Sequence, residues 1–278
     1  IARENLNKLI KTKNLDSKKR LFAKMILLLI FSGMISIAVA QEDKTALNDA
    51  EVQANNPLAS IKTFNLHNYY VPKLTGLPDA TSNTMWLRYA QPIGRFLIRA
   101  SLPIPTVPTG RLSSTSGLGD FNAFGTYLAV KNAKTTLGVG PLIAIPTATD
   151  ENLGSGKWQA GAALIVFQVV SPQLQIGGLV TWQTSFAGDS DRSETNLMAT
   201  QLFGIWQLGT GYYLRSTGIM AFNLKSGDYN VPFGMGVGKV LKLEKVVFNI
   251  FAEPQFTVLH NGAGQPEIQL FFGMNTQF

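Results

Sequence analysis

The stretch Ile268-Gln-Leu-Phe-Phe-Gly-Met-Asn-Thr-Gln-Phe278 decides the fold of this chain. Every second residue from Ile268 to Phe278 is apolar except Thr276, and the residues between them are mostly polar or small. A period of two with one apolar face predicts a β-strand between two unlike environments. Two architectures place a strand in that position: a membrane-spanning barrel and a soluble sandwich. The rest of the sequence has to distinguish them.

The composition favours the membrane barrel. Of the 278 residues, 45% are hydrophobic and only 15% are charged, whereas soluble domains carry about 25% charged residues. The sequence has no run of about 18 apolar residues, which excludes a bundle of membrane helices. It also has no cysteine, which excludes disulfides and thiolate metal sites.

The net charge of +7 comes from the first part of the chain. Residues 1–40 carry eight basic and two acidic residues, which leaves sixteen basic and fifteen acidic residues in 41–278. The nearly neutral remainder gives no reason to expect a nucleic-acid partner.

The first 40 residues have the pattern of a signal peptide. The basic stretch Lys18-Lys19-Arg20 precedes the apolar run Met25–Ile37, and Ala38-Val39-Ala40 forms an A-x-A cleavage site. A membrane anchor is the alternative, but the apolar run is too short for one. We therefore predict an N-terminal extension and signal peptide over 1–40, cleaved after Ala40. A short periplasmic or lumenal helical segment over 41–60 and a barrel over 61–278 follow it.

From residue 61 onward the chain consists of alternating stretches separated by turn-forming residues. The twelve stretches lie at 61–71, 84–91, 95–104, 119–130, 134–147, 157–170, 174–187, 195–207, 211–224, 231–242, 246–259 and 267–278. Most are longer than the five or six residues usual for soluble strands, and their length suits a tilted membrane crossing.

The connections between these stretches alternate between short and long. Short ones lie at 91–94, 131–134, 171–173, 208–211 and 243–245, and long, polar, glycine-rich ones at 73–82, 106–118, 149–156, 188–194, 225–230 and 260–266. Outer-membrane barrels have short periplasmic turns and longer external loops, whereas a sandwich has no reason to separate them. The sequence therefore predicts an all-β fold: a single closed antiparallel transmembrane β-barrel of about 12 strands with a short N-terminal helical segment. Closure leaves no unpaired backbone edge in lipid.

Several short motifs occur in an order that resembles a known family. They are Asn56–Ser60, Ser101–Pro103, Gly117–Asp120, Gly138–Pro141, Ile145–Ala148, Gly156–Gly161, Trp206–Ser216 and Val231–Lys239. Their order and spacing over residues 52–278 resemble the "MetA-pathway of phenol degradation" family of outer-membrane transporters. The resemblance implies a small barrel that passes small, often hydrophobic or aromatic compounds across the outer membrane. It implies no catalytic residues.

Charged residues within the strands are the candidates for a constriction. A charge facing lipid near the membrane centre costs about 2–4 kcal/mol, so we expect these side chains to face the lumen. They are Arg88, Arg95, Arg99, Asp120, Arg215, Lys239 and Glu253, with Lys242 as a further candidate. An ion pair of Asp120 with Arg95 or Arg99 is expected. The charges could simply pair and fill the lumen, or they could form a constriction that favours anionic or polarisable solutes.

Aromatic residues near the strand ends suit the girdles at the membrane interfaces. Four of them are also candidates to stack an aromatic solute: Tyr69, Trp86, Trp182 and Trp206. In the closing strand, Phe272 and Phe278 are predicted to form the signal that barrel assembly machinery reads.

Two other functions remain open at this point. An outer-membrane hydrolase needs a base for a serine or water, and the only histidines are His67 and His260; no pattern pairs either with a nucleophile. A structural or surface-interaction barrel with a closed lumen is the other alternative. We expect no metal and no cofactor. The expected partners are outer-membrane lipid and lipopolysaccharide, the assembly machinery and a small-molecule solute, with no nucleic acid.

Overall fold

The computed structural model describes residues 49–77, 79–110, 113–243 and 245–278. The predicted signal peptide and residues 41–48 lie outside the described residues. The described part begins with one short helix, α1 (Asp49–Ala54), at the position where a helical segment was expected. None of the described helical residues belongs to a helix long and apolar enough to cross a membrane.

Twelve strands follow α1 and form the wall. They are β1 (Thr63–Leu74), β2 (Ser82–Ile93), β3 (Phe96–Pro108), β4 (Phe121–Lys131), β5 (Thr135–Ile145), β6 (Lys157–Val169), β7 (Leu174–Gly188), β8 (Asn196–Gly209), β9 (two segments, Tyr212–Ser216 and Ile219–Asn223), β10 (two segments, Tyr229–Gly234 and Gly236–Leu243), β11 (Val246–Asn261) and β12 (Pro266–Gln277). A short extra strand, Ser114–Ser116, pairs with β3 within the loop that follows it.

The wall is a closed antiparallel barrel. Each strand pairs with the next one along the chain, and β12 also pairs with β1. The closing register places Gln277 opposite both Thr63 of β1 and Val247 of β11. The predicted closed barrel of twelve strands is confirmed.

The alternation of β12 separates the two faces of the wall as expected. Phe271 is 1% exposed and points into the barrel, whereas its neighbour Phe272 is 46% exposed on the outside. Large apolar side chains cover the outer face all round the barrel, among them Leu202 and Val237. Such a surface suits a hydrocarbon environment.

The connections also follow the predicted pattern. The turn between β2 and β3 is only Gly94 and Arg95, and Gly94 adopts a φ of 61° that favours glycine. All the short turns lie at one end of the barrel, the short-turn end, and all the longer loops lie at the other, the long-loop end.

The sequence did not predict an interruption in the wall between β9 and β10. Within the described part of these strands, the ladder has no pairs between Arg215↔Gly236 and Ala221↔Asn230. Side chains from inside the barrel satisfy the backbone of Thr217 there. Its N–H donates to Oε1 of Glu253 over 2.8 Å, and its carbonyl accepts from Nε2 of Gln201 over 2.9 Å. Unpaired backbone groups away from water are costly, so these two side chains stabilise the break.

Candidate functional site

The lumen is covered at the short-turn end by α1 and the turn that follows it. Nδ2 of Asn249 donates to the Ala54 carbonyl over 3.0 Å, and Nε2 of Gln277 donates to the Gln53 carbonyl over 3.2 Å. Ala54 is buried in a cluster with inward-facing aromatic side chains such as Phe251.

Apolar contacts hold the turn after α1 in the lumen. Leu58 is buried in a cluster that includes Leu97, Leu128, Ile165 and Phe167 of the wall. The segment therefore contacts opposite sides of the barrel interior and lies across the lumen.

Two of the cavities among the described residues lie along the lumen and bear on function. The first, which we call the vestibule, is about 310 Å³ and lies toward the long-loop end; Gln183, Leu197, Asn223 and Gln265 are among the residues that line it. The second is about 130 Å³ and lies against α1. We call it the arginine chamber, because His67, Arg88, Arg99 and Arg215 line it.

Aromatic rings form one wall of the arginine chamber. Tyr69 and Phe271 are stacked with centroids 4.1 Å apart, and Phe251 meets Phe271 edge-on at 4.9 Å. The ring of Phe251 covers Gly273, where an added Cβ would lie 2.0 Å from the ring. A glycine at position 273 thus lets the ring lie flat against the wall and leaves space in the lumen.

Arg215 and Glu253 form a buried ion pair beside these rings. Nε of Arg215 donates to Oε2 of Glu253 over 2.9 Å, and the guanidinium lies 3.5 Å from the centre of the Phe251 ring. Oε2 also accepts from the Thr217 hydroxyl over 2.7 Å, and Oε1 accepts from Nε2 of Gln255 over 3.0 Å. The carboxylate is therefore fully hydrogen-bonded, which a buried charge requires.

Arg88 belongs to a second polar network that lines the same chamber. Its Nη1 lies 2.6 Å from Nδ1 of His67, and Nε2 of His67 lies 2.8 Å from Oδ1 of Asn275. A guanidinium can only donate, so Nδ1 accepts and Nε2 carries the proton that is donated to Asn275. The network therefore assigns His67 as the neutral Nε2–H tautomer.

Arg99 is the least satisfied member of the chamber. Its guanidinium lies 5.6 Å from the centre of the Phe124 ring, and its Nε is buried without a hydrogen-bond partner among the described residues. Arg88 and Arg99 are diagonal neighbours on β2 and β3, because Ser101 lies opposite Arg88 and Ala90 lies opposite Arg99. Neither forms an ion pair with a described carboxylate.

The predicted lumen residues divide into two groups. Six of them face the lumen, and five of these line the arginine chamber or bond to a residue that does: Tyr69, Arg88, Arg99, Arg215 and Glu253. The sixth, Trp86, also faces inward, and the Arg88 guanidinium lies 4.6 Å from its ring centre.

Arg95 and Asp120 do not lie where they were expected. Arg95 lies in the turn between β2 and β3 and is exposed at the short-turn end. Asp120 lies at the opposite end, where its carboxylate accepts from the Ser155 backbone N–H and hydroxyl, each over 2.7 Å. The expected pairing of Asp120 with Arg95 or Arg99 is therefore wrong. Asp120 instead stabilises the loop between β5 and β6 at the long-loop end.

Lys239 points out of the barrel. It lies opposite Ile250 and Tyr212 on the outer face. Its Nζ donates to the Thr210 carbonyl over 2.5 Å and lies 3.6 Å from the centre of the Tyr212 ring. A lysine near a strand end can extend its charge along the wall to the polar rim, so the inward prediction is wrong here. Lys242 is exposed near the same end.

Two of the four predicted stacking residues also face outward. Trp182 is 43% exposed and Trp206 is 51% exposed, both on the outer face. Nε1 of Trp182 donates to Asn196 over 2.9 Å, at the start of β8 and near the long-loop end. These side chains cannot stack a solute in the lumen and suit an interfacial girdle instead.

The predicted assembly residues keep their positions on the outer face. Phe272 is exposed there, and Phe278 is exposed beyond the end of β12 with its N–H donating to the Lys62 carbonyl over 3.1 Å. Their role in assembly stays a prediction.

Several residues of the chamber were not singled out from the sequence. His67 was considered only as a catalytic base, and Asn275, Thr217, Phe251 and Phe271 were not assigned a role in the lumen. The sequence signal for these residues was their spacing of two along the chain, because each follows or precedes at that spacing a residue that was chosen or a small neighbour. His260 is exposed on β11 at the long-loop end, opposite Asn230 and away from His67.

Comparison with known proteins supports the fold. No family model matches the chain, and no curated protein matches it. The chain is similar to a solved outer membrane channel from Pseudomonas putida F1, with a TM-score of 0.58 and 14% sequence identity. The match spans 86% of this chain and 100% of that channel. It is also similar to the solved NanC porin, with a TM-score of 0.51 and 8% sequence identity. That match spans 77% of this chain and 98% of the porin. At these identities the likeness shows the outer-membrane barrel fold alone, and the resemblance to the "MetA-pathway of phenol degradation" family is not confirmed.

Proposed function

We propose that this chain is an outer-membrane channel through which small solutes pass, with a preference for anions set by the arginine chamber. The observation that carries the proposal is the charge inside the barrel. Arg215 is neutralised by Glu253, whereas Arg88 and Arg99 face the same chamber without a carboxylate partner among the described residues. A narrow passage lined by one sign of charge raises the local concentration of the opposite ion.

The apolar exterior and the two unlike ends support the membrane setting. The exposed apolar side chains on every strand would be costly in water and suit hydrocarbon. By the loop pattern of such barrels, the long-loop end faces the exterior and the short-turn end with α1 faces the periplasm. A solute would then cross the vestibule first, the arginine chamber second and the α1 segment last.

The aromatic wall of the chamber suits polarisable solutes. The Tyr69–Phe271 stack and the edge of Phe251 present ring surface beside the guanidinium groups. A solute that combines a negative group with an apolar body would satisfy both features. The hydrophobic or aromatic solutes implied by the family resemblance fit the same wall.

A structural barrel with a closed lumen is the second candidate, and the α1 segment favours it. Leu58 and Ala54 are buried across the short-turn end, so a segment that never moved would close the passage. A hydrolase is less favoured, because the two ring nitrogens of His67 contact Arg88 and Asn275 rather than a serine hydroxyl of the described chain.

Solute uptake into proteoliposomes separates the two candidates. Vesicles containing the purified full-length chain are placed in solutes of graded size, and swelling is measured by light scattering. A channel predicts swelling with the smallest solutes and none with larger ones. A structural barrel closed by the α1 segment predicts no swelling at any size in the wild type, and swelling only in a variant in which α1 is displaced from the lumen.

A further inference from the structure

Among the described residues, the positive charge of the arginine chamber exceeds the negative charge paired with it. Three guanidinium groups line a space of about 130 Å³. The carboxylate of Glu253, which pairs with one of them, also accepts hydrogen bonds from Thr217 and Gln255. Arginine stays protonated in proteins, and an unpaired buried charge is unfavourable. Arg88 and Arg99 therefore leave positive charge that the described residues do not balance.

Arg99 shows where a ligand would bind. Its Nε is buried, lacks a hydrogen-bond partner among the described residues, and belongs to a side chain that lines the chamber. Nε–H and a neighbouring Nη–H form one edge of the guanidinium fork, which matches the two oxygens of a carboxylate. Arg88, its diagonal neighbour, brings a second positive group to the same space.

The other walls of the chamber define the body of the ligand. Ala90, Phe203, Ile205 and Phe271 present apolar atoms to the same cavity. A bare inorganic anion would leave this surface in contact with water or empty. A carboxylate that carries a small apolar group would fill it and gain the free energy of apolar burial.

We infer that the arginine chamber is a saturable binding site for one small organic monocarboxylate with an apolar body, held at its carboxylate by Arg99 with Arg88 alongside. This inference rests on the proposed channel function, because it names the solute class that would occupy the passage. The inference adds a site that binds one ligand per barrel. A simple electrostatic preference for anions does not require such a site.

Benzoate is the probe for this site, since its ring can lie against the aromatic wall. Binding to the full-length chain in detergent is measured by isothermal titration calorimetry. Benzyl alcohol serves as the uncharged analogue and sulfate as the inorganic anion. The wild type should bind about one benzoate per barrel, and benzyl alcohol and sulfate should each bind at least about tenfold more weakly.

Two substitutions locate the site. Arg99→Gln removes the charged fork and should weaken benzoate binding by at least about tenfold. Arg95→Gln removes the same charge from the exposed turn and should leave the affinity unchanged. If Arg99→Gln does not show the heat-dependent gel shift of a folded barrel, Arg99→Lys is used in its place. This variant keeps the positive charge but removes the guanidinium fork, so it should still weaken benzoate binding.

The outcomes separate this inference from the channel proposal. Equal benzoate affinity in the wild type and in a folded Arg99 variant would overturn the site, as would the absence of saturable binding. If benzoate does not bind but the vesicles still swell, the channel stands and the site fails. If benzoate binds at Arg99 but no solute enters the vesicles, the site stands and the channel proposal fails.

Discussion

Glu253 accepts a hydrogen bond from Nε of Arg215 over 2.9 Å, inside the barrel and beside the interruption between β9 and β10. The side chain of Arg215 is 10% exposed and that of Glu253 is fully buried. The same carboxylate accepts from the backbone of Thr217, where the strand ladder is missing. Glu253 thus neutralises a lumen charge and bonds to the wall at the interruption between β9 and β10.

The first prediction concerns this ion pair. Glu253→Gln removes the charge and leaves Arg215 buried without a counterion, so the free energy of unfolding should fall by about 3–5 kcal/mol. Unfolding in urea from lipid vesicles, followed by fluorescence, measures it.

The matched control is Glu267→Gln. Glu267 pairs with Lys73 where both side chains are substantially exposed, so its loss should cost no more than about 1 kcal/mol. Equal effects of the two substitutions would contradict the structural role given to Glu253.

The second prediction concerns the α1 segment. Leu58→Asp places a charge among Leu97, Ile165 and Phe167, where it cannot be hydrated. The segment should leave the lumen, so the mean conductance of single channels in planar bilayers should rise. Ser60→Asp adds the same charge at an exposed position of the same segment and should leave conductance unchanged. Unchanged conductance in the Leu58 variant would mean that this segment does not close the passage.

The third prediction concerns the orientation of the tryptophans. The chain has four, of which Trp158, Trp182 and Trp206 face outward and Trp86 faces the lumen. In variants that retain a single tryptophan, brominated lipids should quench Trp206 strongly and Trp86 weakly. Similar quenching of both would contradict the assignment of the two faces.

The fourth prediction concerns the closing strand. Phe278 is exposed just beyond β12, the strand that closes the barrel, and we propose that assembly machinery reads it. Phe278→Asp should lower the amount of folded protein in the outer membrane, measured by heat-dependent gel migration of membrane fractions. Phe278→Tyr keeps the aromatic ring and should assemble normally. If both variants accumulate equally, the ring of Phe278 is not part of the signal.

The faces of the wall could be predicted from the sequence because a strand has a period of two. Arg88 and Arg99 were assigned to the lumen in this way. The same rule, applied strictly, would have placed Trp182 outside with Ile176 and Val180, and Lys239 outside with Val237 and Leu241. Lys239 was misassigned because the cost of a charge in lipid was given more weight than its parity and its nearness to the rim.

Other features depend on contacts between residues distant in sequence, which no local pattern contains. The break at Thr217 exists because Glu253 and Gln201 replace the missing ladder partners. Asp120 is drawn away from the lumen by the loop around Ser155. The position of α1 depends on Asn249 and Gln277, two polar side chains that on sequence alone are ordinary lumen residues.

The most direct test of the cationic chamber is the reversal potential across a bilayer with a KCl gradient. The wild-type chain should be anion-selective, the double variant Arg88→Gln/Arg99→Gln should lose most of that selectivity, and Arg95→Gln should retain it. A cation-selective wild type, or a double variant as anion-selective as the wild type, would contradict the account.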